Sequence, residues 1–194
     1  MLILKVYYKM KKSTVDKEIK IVQKGDPVLR ETARTIPLED IKTPKIQKIL
    51  EDMKIALDAQ EDGVAIAAPQ IGVPLRIFVV SKKVELFAHE HENLSDKEKA
   101  KFEDEVYINP EIKKLSRQKN RLDEGCLSVR YLYGKVERSE KATVTAYNEK
   151  GKKITKGASG LLAQIFQHET DHLNGILFVD KADDIVSIPP TKNE

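Results

Sequence analysis

Gly160-Leu-Leu-Ala-Gln-Ile-Phe-Gln-His-Glu-Thr-Asp-His-Leu-Asn-Gly175 is the segment around which the remainder of the 194-residue sequence is organised. Four of its residues recur at i, i+4, i+7 and i+11, the spacing of one helix face, and these are Leu161, Ile165, His168 and His172. Gly175 follows at the position where a left-handed residue commonly ends a helix. The segment therefore predicts an amphipathic α-helix that stops near Gly175.

The predicted helix contains His168-Glu-Thr-Asp-His172, an H-E-x-x-H motif. Histidines four residues apart lie on one face, so both imidazoles can bind a single metal ion. Glu169 would lie beside that ion, where it can take a proton from a bound water. Histidines are more often surface or satisfied core residues, but a chance match to this motif is rare, on the order of one in a hundred chains of this kind. The motif predicts a metal site with a general base.

The composition limits the class of protein. The length is sufficient for one domain with its own core. The 34 basic and 31 acidic residues give a net charge of +3, so we expect no dedicated nucleic-acid binder, although weak attraction to a ribosome surface is allowed. No apolar run approaches membrane-spanning length. The single cysteine, Cys126, is typical of a reducing compartment, and we expect a cytoplasmic protein without a secretory signal.

The order of the predicted elements indicates an α+β fold with antiparallel sheets, because hairpins dominate and no regular βαβ alternation occurs. A helix is predicted from the Thr43-Pro44 N-cap towards Gly63. The predicted strands are residues 75–80, 106–110, 111–116, 141–147 and 152–156. The predicted domain organisation has three parts: a flexible extension over residues 1–18, one catalytic domain over 19–182 and a disordered tail over 183–194. Within the catalytic domain we expect a charged surface segment at 83–104 and a short extended stretch at 176–180.

The predicted helix supplies two metal ligands, and the third must lie elsewhere in the sequence. Catalytic zinc-like sites usually have three protein ligands and one open position. The residues after His172 contain no further histidine, and the candidates among them are Asp180, Asp183 and Asp184. Cys126 is a softer ligand within the turn-like sequence Glu124-Gly-Cys-Leu-Ser128, although a free cysteine is commonly a buried apolar residue. We favour Cys126.

A second unusual stretch is Gly63-Val-Ala-Ile-Ala-Ala-Pro-Gln-Ile-Gly72, which is small and apolar. Small residues allow another backbone or a ligand to approach closely, and the alternative is a tight buried connection. Gln70 is the only polar side chain of the stretch.

Three motifs together resemble those of the peptide deformylases, in the same order. They are Gly63-Val-Ala-Ile-Ala-Ala-Pro-Gln70, Glu124-Gly-Cys-Leu-Ser128 and Gln167-His-Glu-Thr-Asp-His172. The segment Gly25-Asp-Pro-Val-Leu-Arg30 is also similar to the N-terminal part of that family, so the resemblance covers about Ile19 to Asp180.

The resemblance implies a specific activity. Cys126, His168 and His172 would bind one divalent metal ion, typically Fe²⁺, with Zn²⁺ or Ni²⁺ able to replace it. Glu169 would act first as the base and then as the acid. The Gln70 side chain and the backbone N–H of Leu127 would bind the oxyanion. The partners would be N-formyl-methionyl nascent peptides, with formate released, and the sheets would surround the metal helix. The residues expected around the substrate are Gly63, Val64, Ala65, Leu161 and Ile165.

The sequence departs from the family pattern at three places near these motifs. Ala65 replaces the second glycine of Gly-x-Gly, Arg130 stands where proline is common, and Tyr133 stands where arginine is common. Two other readings remain open. One is a metallopeptidase that has no special need of Cys126. The other is a closed structural metal site in a non-enzymatic protein, for which His89 or His91 would supply a fourth ligand.

Overall fold

The computed structural model describes residues 19–88 and 94–189. Its eight strands are β1 (Ala65–Ala67), β2 (Ile77–Val80), β3 (Glu105–Leu115), β4 (Lys119–Glu124), β5 (Leu132–Ser139), β6 (Lys141–Tyr147), β7 (Lys153–Ser159) and β8 (Asp183–Ser187). A five-stranded sheet has the order β1-β2-β3-β6-β7, and a three-stranded sheet has the order β4-β5-β8. Neighbouring strands are antiparallel throughout both sheets. The predicted α+β fold with antiparallel sheets is therefore confirmed.

Four α-helices occur in the described residues: α1 (Pro44–Asp58), α2 (Lys83–Ala88), α3 (Asp96–Lys99) and α4 (Gly160–Leu173). Helix α1 begins at Pro44, whose missing N–H costs nothing at a first helical position. Gly175 is left-handed with φ 73°, and the Ile176 N–H donates to the Asp171 carbonyl over 3.0 Å, which closes the end of α4. The predicted helix and its glycine stop are confirmed. Among the described helices, none has both the length and the apolar character required to cross a membrane.

Helix α4 is fixed by its apolar face. It contacts both sheets, through β1, β2, β3, β6 and β7 of the five-stranded sheet and through β5 of the three-stranded sheet. Phe166 is fully buried, and its ring lies edge-on to Tyr107 with centroids 5.2 Å apart. Tyr107 in turn stacks on Phe78 of β2 at 4.6 Å. These rings bury large apolar surfaces, so they hold the helix in one position against the five-stranded sheet.

The structure corrects three local predictions. Residues 183–187 form strand β8 rather than a disordered tail, because the outer edge of β5 supplies hydrogen-bonding partners for its backbone. Strand β3 runs continuously through the predicted break, because Asn109 adopts φ 51° and the ladder accommodates an irregularity there. Residues 176–180 are predicted to be extended, but Phe178–Asp180 forms a 3-10 helix. The predictions for residues 1–18, His89 and His91 lie outside the described residues.

Candidate metal centre

Cys126, His168 and His172 converge at one point. One potential ligand atom from each side chain lies within 4.8 Å of those of the other two. The Cys126 Sγ is 3.2 Å from His172 Nε2, and the two imidazole centroids are 5.0 Å apart. The histidines occupy successive turns of α4, and the loop after β4 brings the cysteine to them.

The aspartates considered as alternative ligands have other partners. Asp180 accepts hydrogen bonds from Arg30, and Asp183 and Asp184 lie beside Arg121. None of the three belongs to the cluster of possible ligands among the described residues. The geometry therefore favours Cys126 as the third ligand.

The charge state of the cluster suits a metal ion. Burial raises the pKa of the Cys126 thiol, but the imidazoles of His172 and His168 outweigh burial and lower this pKa to about 5. The sulfur is therefore a thiolate near neutral pH, and a thiolate is the form that binds metal. One thiolate and two imidazoles, with a fourth position left for water or substrate, is a donor set typical of catalytic Zn²⁺ and of related divalent metals. The residues present fit such an ion.

A buried ion network orients His168. Its Nδ1 is 3.0 Å from Glu124 Oε2, which leaves Nε2 for the centre of the cluster. Arg138 donates to both Glu124 oxygens over 2.7 and 2.9 Å, and to Asp171 over 2.6 Å. Burial opposes ionisation of Glu124, but Arg138 and His168 outweigh it and lower its pKa to about 2. A carboxylate held in this way fixes the orientation of a metal-binding imidazole.

Sequence reasoning missed this network. The sequence indicates Glu124 only through its position in the cysteine motif, two residues before Cys126. Arg138 is 3% exposed in β5, and nothing in the alternation of its strand distinguishes it from a surface arginine. Asp171 lies inside the H-E-x-x-H motif at one of its variable positions.

Glu169 is a buried carboxyl group beside the cluster. It is 4% exposed, and its Oε2 has no hydrogen-bonding partner within the described part of the chain. Burial raises its pKa and outweighs the opposing effect of His168 and His172. A raised pKa makes the Glu169 carboxylate a stronger base, which suits a group that accepts a proton and later returns it.

Gln70 presents a neutral donor to the same point. The Ala67 N–H donates to Gln70 Oε1 over 2.8 Å, which identifies the other end of the amide as the NH₂ group. That Nε2 points towards Cys126 Sγ at 3.5 Å and donates to Ser128 Oγ at 3.2 Å. Gln70 is 2% exposed, so its orientation is fixed by packing as well as by hydrogen bonds.

The Leu127 N–H is a second possible donor, since no hydrogen bond among the described residues uses it. The N-terminal segment holds this loop in place. Gln23 Nε2 donates to the Leu127 carbonyl over 3.0 Å, and the Lys24 N–H donates to the Ser128 carbonyl over 2.6 Å. The Val22 N–H donates to the Gln70 carbonyl over 2.9 Å. This support by residues 22–24 had no recognisable signal in the sequence.

A cavity of about 300 Å³ opens onto the cluster. The predicted site residues that line it are Gly63, Val64, Ala65, Gln70, Cys126, Leu127, Leu161, Ile165, His168 and Glu169. His172 is 1% exposed and lies behind them. Ile165 is 4% exposed, whereas Leu161 at 43% lies at the rim. Ala65 is 7% exposed and packs in the apolar core with Phe78 and Phe166, so its methyl group is largely accommodated by the protein.

Arg130 joins two walls of the cavity. It donates to Asp62 Oδ2 over 2.8 Å and also contacts Gln60 Oε1, so it connects the loop before β1 to the loop that carries Cys126. Tyr131 and Tyr133, from the same loop and from β5, line the cavity as well. Sequence reasoning singled out Arg130 and Tyr133 only as departures from a pattern.

Comparisons with known proteins agree on one family. A sequence profile described as polypeptide deformylase matches residues 19–187. The chain is 45% identical over 172 residues to peptide deformylase 1A, chloroplastic/mitochondrial, of Arabidopsis thaliana, which covers 88% of this chain and 63% of that protein. It is 46% identical over 167 residues to the peptide deformylase of Carboxydothermus hydrogenoformans, with coverages of 86% and 95%. The chain thus spans less than two thirds of the plant relative.

A solved structure has the same fold. The peptide deformylase of Synechococcus elongatus in complex with actinonin matches with a TM-score of 0.70 at 31% identity, over 89% of this chain and 84% of that one.

Proposed function

The chain belongs to the peptide deformylase family, and we propose on this basis that it removes the formyl group from the N-terminal methionine of newly synthesised proteins. The observation that carries the proposal is the convergence of Cys126, His168, His172 and Glu169 on one cavity. The reaction is a hydrolysis in which N-formyl-methionyl peptide and water give the free amine and formate.

The proposed metal ligands are Cys126, His168 and His172. The family is metal-dependent, and we propose Fe²⁺ as the native ion, with Zn²⁺ or Ni²⁺ as replacements. A divalent ion held there would act as a Lewis acid and lower the pKa of a water molecule. Glu124 contributes by holding the His168 ring through Nδ1, so that Nε2 faces the ligand position.

Glu169 is the proposed proton carrier. Its carboxylate accepts a proton from the attacking water, and the remaining hydroxide adds to the formyl carbon. When the carbon–nitrogen bond breaks, Glu169 returns the proton to the leaving amine nitrogen. The raised pKa of this buried carboxyl supports its role as proton carrier, because burial makes it a stronger base than an ordinary carboxylate.

Gln70 and Leu127 are the proposed oxyanion donors. As the formyl carbon becomes tetrahedral, its oxygen gains negative charge, which the Gln70 amide and the Leu127 N–H stabilise. The buried, oriented amide supports this role, since preorganised donors in a water-poor site stabilise such charge most strongly. A neutral amide also releases formate more readily than a cationic side chain would.

The cavity accommodates the methionine side chain. Val64, Leu161 and Ile165 are the proposed apolar wall, with Gly63 and Ala65 beside them. Strand β1 is an edge of its sheet, so the backbone around Gly63–Ala65 can pair with an extended peptide. This arrangement would present the formyl group to Glu169 and Gln70.

The decisive test measures formate released from a formyl-methionyl peptide by anaerobically iron-loaded protein. We expect stoichiometric metal binding and multiple turnovers. Glu169→Ala should retain the metal and lose nearly all turnover. An iron-loaded protein that releases no formate would refute the proposed activity, and loss of metal in Glu169→Ala would assign that residue a structural role.

The two rival functions make different predictions. A metallopeptidase should cleave unformylated peptides and tolerate Cys126→Ser without loss of metal, whereas the proposed site should lose metal affinity in that variant. A closed structural site needs a fourth protein ligand, and the cluster among the described residues has three.

We expect the protein to act in a reducing compartment, because Cys126 must stay unoxidised to serve as a ligand. The cytoplasm is our proposal, while the name of the plant relative points to chloroplasts and mitochondria for that protein. Imaging of a tagged chain in the source cells distinguishes these locations. Weak ribosome contact also stays a prediction, to be tested by cosedimentation with ribosomes.

A further inference from the structure

An exposed apolar patch borders the mouth of the cavity. Tyr131, Tyr133, Val186 and Ile188 are 47%, 39%, 51% and 59% exposed, respectively. Val186 of β8 is the cross-strand partner of Tyr133 in β5, so the two side chains lie on the same face of the sheet. The Ile188 N–H donates to the Tyr131 carbonyl over 2.8 Å, which brings Tyr131 and Ile188 together beyond the end of the ladder. We call these four residues the tyrosine patch.

The tyrosine patch is continuous with the proposed active site. Both tyrosines line the cavity that contains Cys126 and Glu169. The Tyr133 ring lies directly against the backbone of Gly125, since a Cβ placed there would be 2.8 Å from Tyr133 Cε1. Gly125 immediately precedes the proposed ligand Cys126. One face of the ring is therefore fixed against the metal loop, and the half-exposed remainder extends to the surface.

The backbone at Tyr131 is strained. Its φ of 66° lies in the left-handed region, which is unfavourable for a non-glycine residue. Bulky residues seldom adopt this conformation, and strain of this kind concentrates at binding and catalytic sites. The Tyr131 side chain lines the cavity and is half exposed. Its burial therefore does little to offset the unfavourable backbone conformation.

We infer that the tyrosine patch binds an apolar or aromatic side chain of the substrate peptide, downstream of the formyl-methionine. This inference rests on the proposed function. A nascent chain is longer than the cavity, and each extended residue advances about 3.3 Å, so the residues after the methionine must leave across the rim. Ala65 of β1 and both tyrosines of the tyrosine patch line this same cavity.

The local charges favour an apolar occupant. Charged side chains adjacent to the patch on the same strands already have partners: Lys135 with Asp123, and Asp183 and Asp184 with Arg121. None of the four patch side chains is charged. Burial of an aromatic side chain against two tyrosine rings would be favourable both by area and by ring contact.

A second copy of the chain is the competing occupant, because β8 is an edge strand. Four half-exposed side chains offer much less than the roughly 800 Å² per partner that a standard interface buries. The substrate is therefore the better match to a small patch that continues into the cavity.

The test compares formyl-Met-Ala-Ala-Ala with three peptides that carry one phenylalanine at the second, third or fourth position. We expect phenylalanine at one of these positions to raise kcat/KM about fivefold to tenfold, mainly through KM, since tenfold corresponds to about 1.4 kcal/mol of binding. Val186→Ser and Ile188→Ser should bring the ratio for that peptide pair towards one. Ile185→Ser is the matched control, because Ile185 is 45% exposed on the opposite face of the same strand and should leave the ratio unchanged.

The outcomes separate the two proposals. Failure to hydrolyse any formylated peptide refutes the proposed function and this inference with it. Hydrolysis of all four peptides at equal rates refutes the inference alone, as does a phenylalanine preference that survives both Val186→Ser and Ile188→Ser. Light scattering at assay concentration detects a dimer, and a dimer abolished by Val186→Ser would assign the patch to self-association and overturn the inference. Thermal melts confirm that the variants are folded.

Discussion

The Glu124 carboxylate lies between the His168 imidazole and the Arg138 guanidinium, and it is 5% exposed. Glu124→Gln keeps the shape of the side chain but removes its charge. We expect metal affinity to fall about tenfold to a hundredfold, because the partner that orients a ligand imidazole is weakened. We also expect a loss of several kcal/mol in unfolding free energy, since Arg138 would remain buried without its main counter-charge. Competition with a metal chelator and urea unfolding measure the two effects.

Glu137→Gln is the control for that substitution. Glu137 is a glutamate of β5 whose side chain is 60% exposed and pairs with Lys119. Exposed pairs of this kind contribute less than about 1 kcal/mol, so this variant should retain both metal affinity and stability. Equal effects of the two substitutions would contradict the assigned role of Glu124.

At the scale of elements, the end of α4 depends on Gly175. Its φ is 73°, and a Cβ at this position would be 2.6 Å from the Arg30 carbonyl oxygen. Gly151 has the same φ of 73°, but a Cβ there would meet only Lys42 Cε at 3.7 Å. Gly151→Ala should therefore cost about 1 kcal/mol from the left-handed conformation alone. Gly175→Ala should cost at least about twice as much, because the Arg30 backbone must also move.

Urea unfolding of the two alanine variants measures this difference. Equal losses of unfolding free energy would mean that the Arg30 backbone moves away from a Cβ at residue 175 without a measurable loss of stability. Since α4 carries both histidines, Gly175→Ala should additionally weaken metal binding, whereas Gly151→Ala should not.

The Arg30–Asp180 pair joins the N-terminal segment to the 3-10 helix that follows α4. Hydrogen bonds from Arg30 lower the pKa of Asp180. A carboxylate whose pKa is depressed by folding stabilises the protein above its ordinary pKa of 3.8, and this stabilisation disappears as the pH falls through the lower folded-state value. The side chains are 45% and 38% exposed, so screening limits the contribution to less than about 1 kcal/mol.

Asp180→Asn isolates this charge, because the amide oxygen can still accept the hydrogen bond from the Leu177 N–H. The variant should be less stable than the parent chain near neutral pH and equally stable in acid well below pH 3.8. High salt should also reduce the difference. A difference that persists unchanged in acid would show that packing, rather than charge, is responsible.

At the scale of the whole molecule, the features predicted from sequence are those with a local periodicity. Helix α4 and the β6–β7 hairpin have clear spacing patterns, and three short motifs indicated the Cys126, His168 and His172 cluster. Contacts between distant segments had no such pattern. Arg138 is buried together with two acidic partners, Glu124 at the end of β4 and Asp171 of α4. Gln70 reaches Ser128 across 58 positions of sequence. Such contacts depend on the assembled fold.

Strand β8 forms because it pairs with β5, and its own sequence does not predict it. All five of its residues are exposed, so its sequence has no burial pattern, yet its backbone pairs with β5. We propose on this ground that the catalytic domain extends from Ile19 to Ser187 rather than ending at residue 182.

A pair of truncations tests this boundary. A chain ending at Pro189 should be as stable as the full chain, since it keeps β8 and the Ile188 hydrogen bond. A chain ending at Ala182 loses the β5–β8 ladder, and Ile185 no longer covers Gly134. Because few apolar atoms are uncovered, the cost should come mainly from backbone hydrogen bonds and amount to about 1–3 kcal/mol. The shorter chain should also lose any preference for phenylalanine peptides, and equal unfolding free energies for the two truncated chains would exclude β8 from the domain.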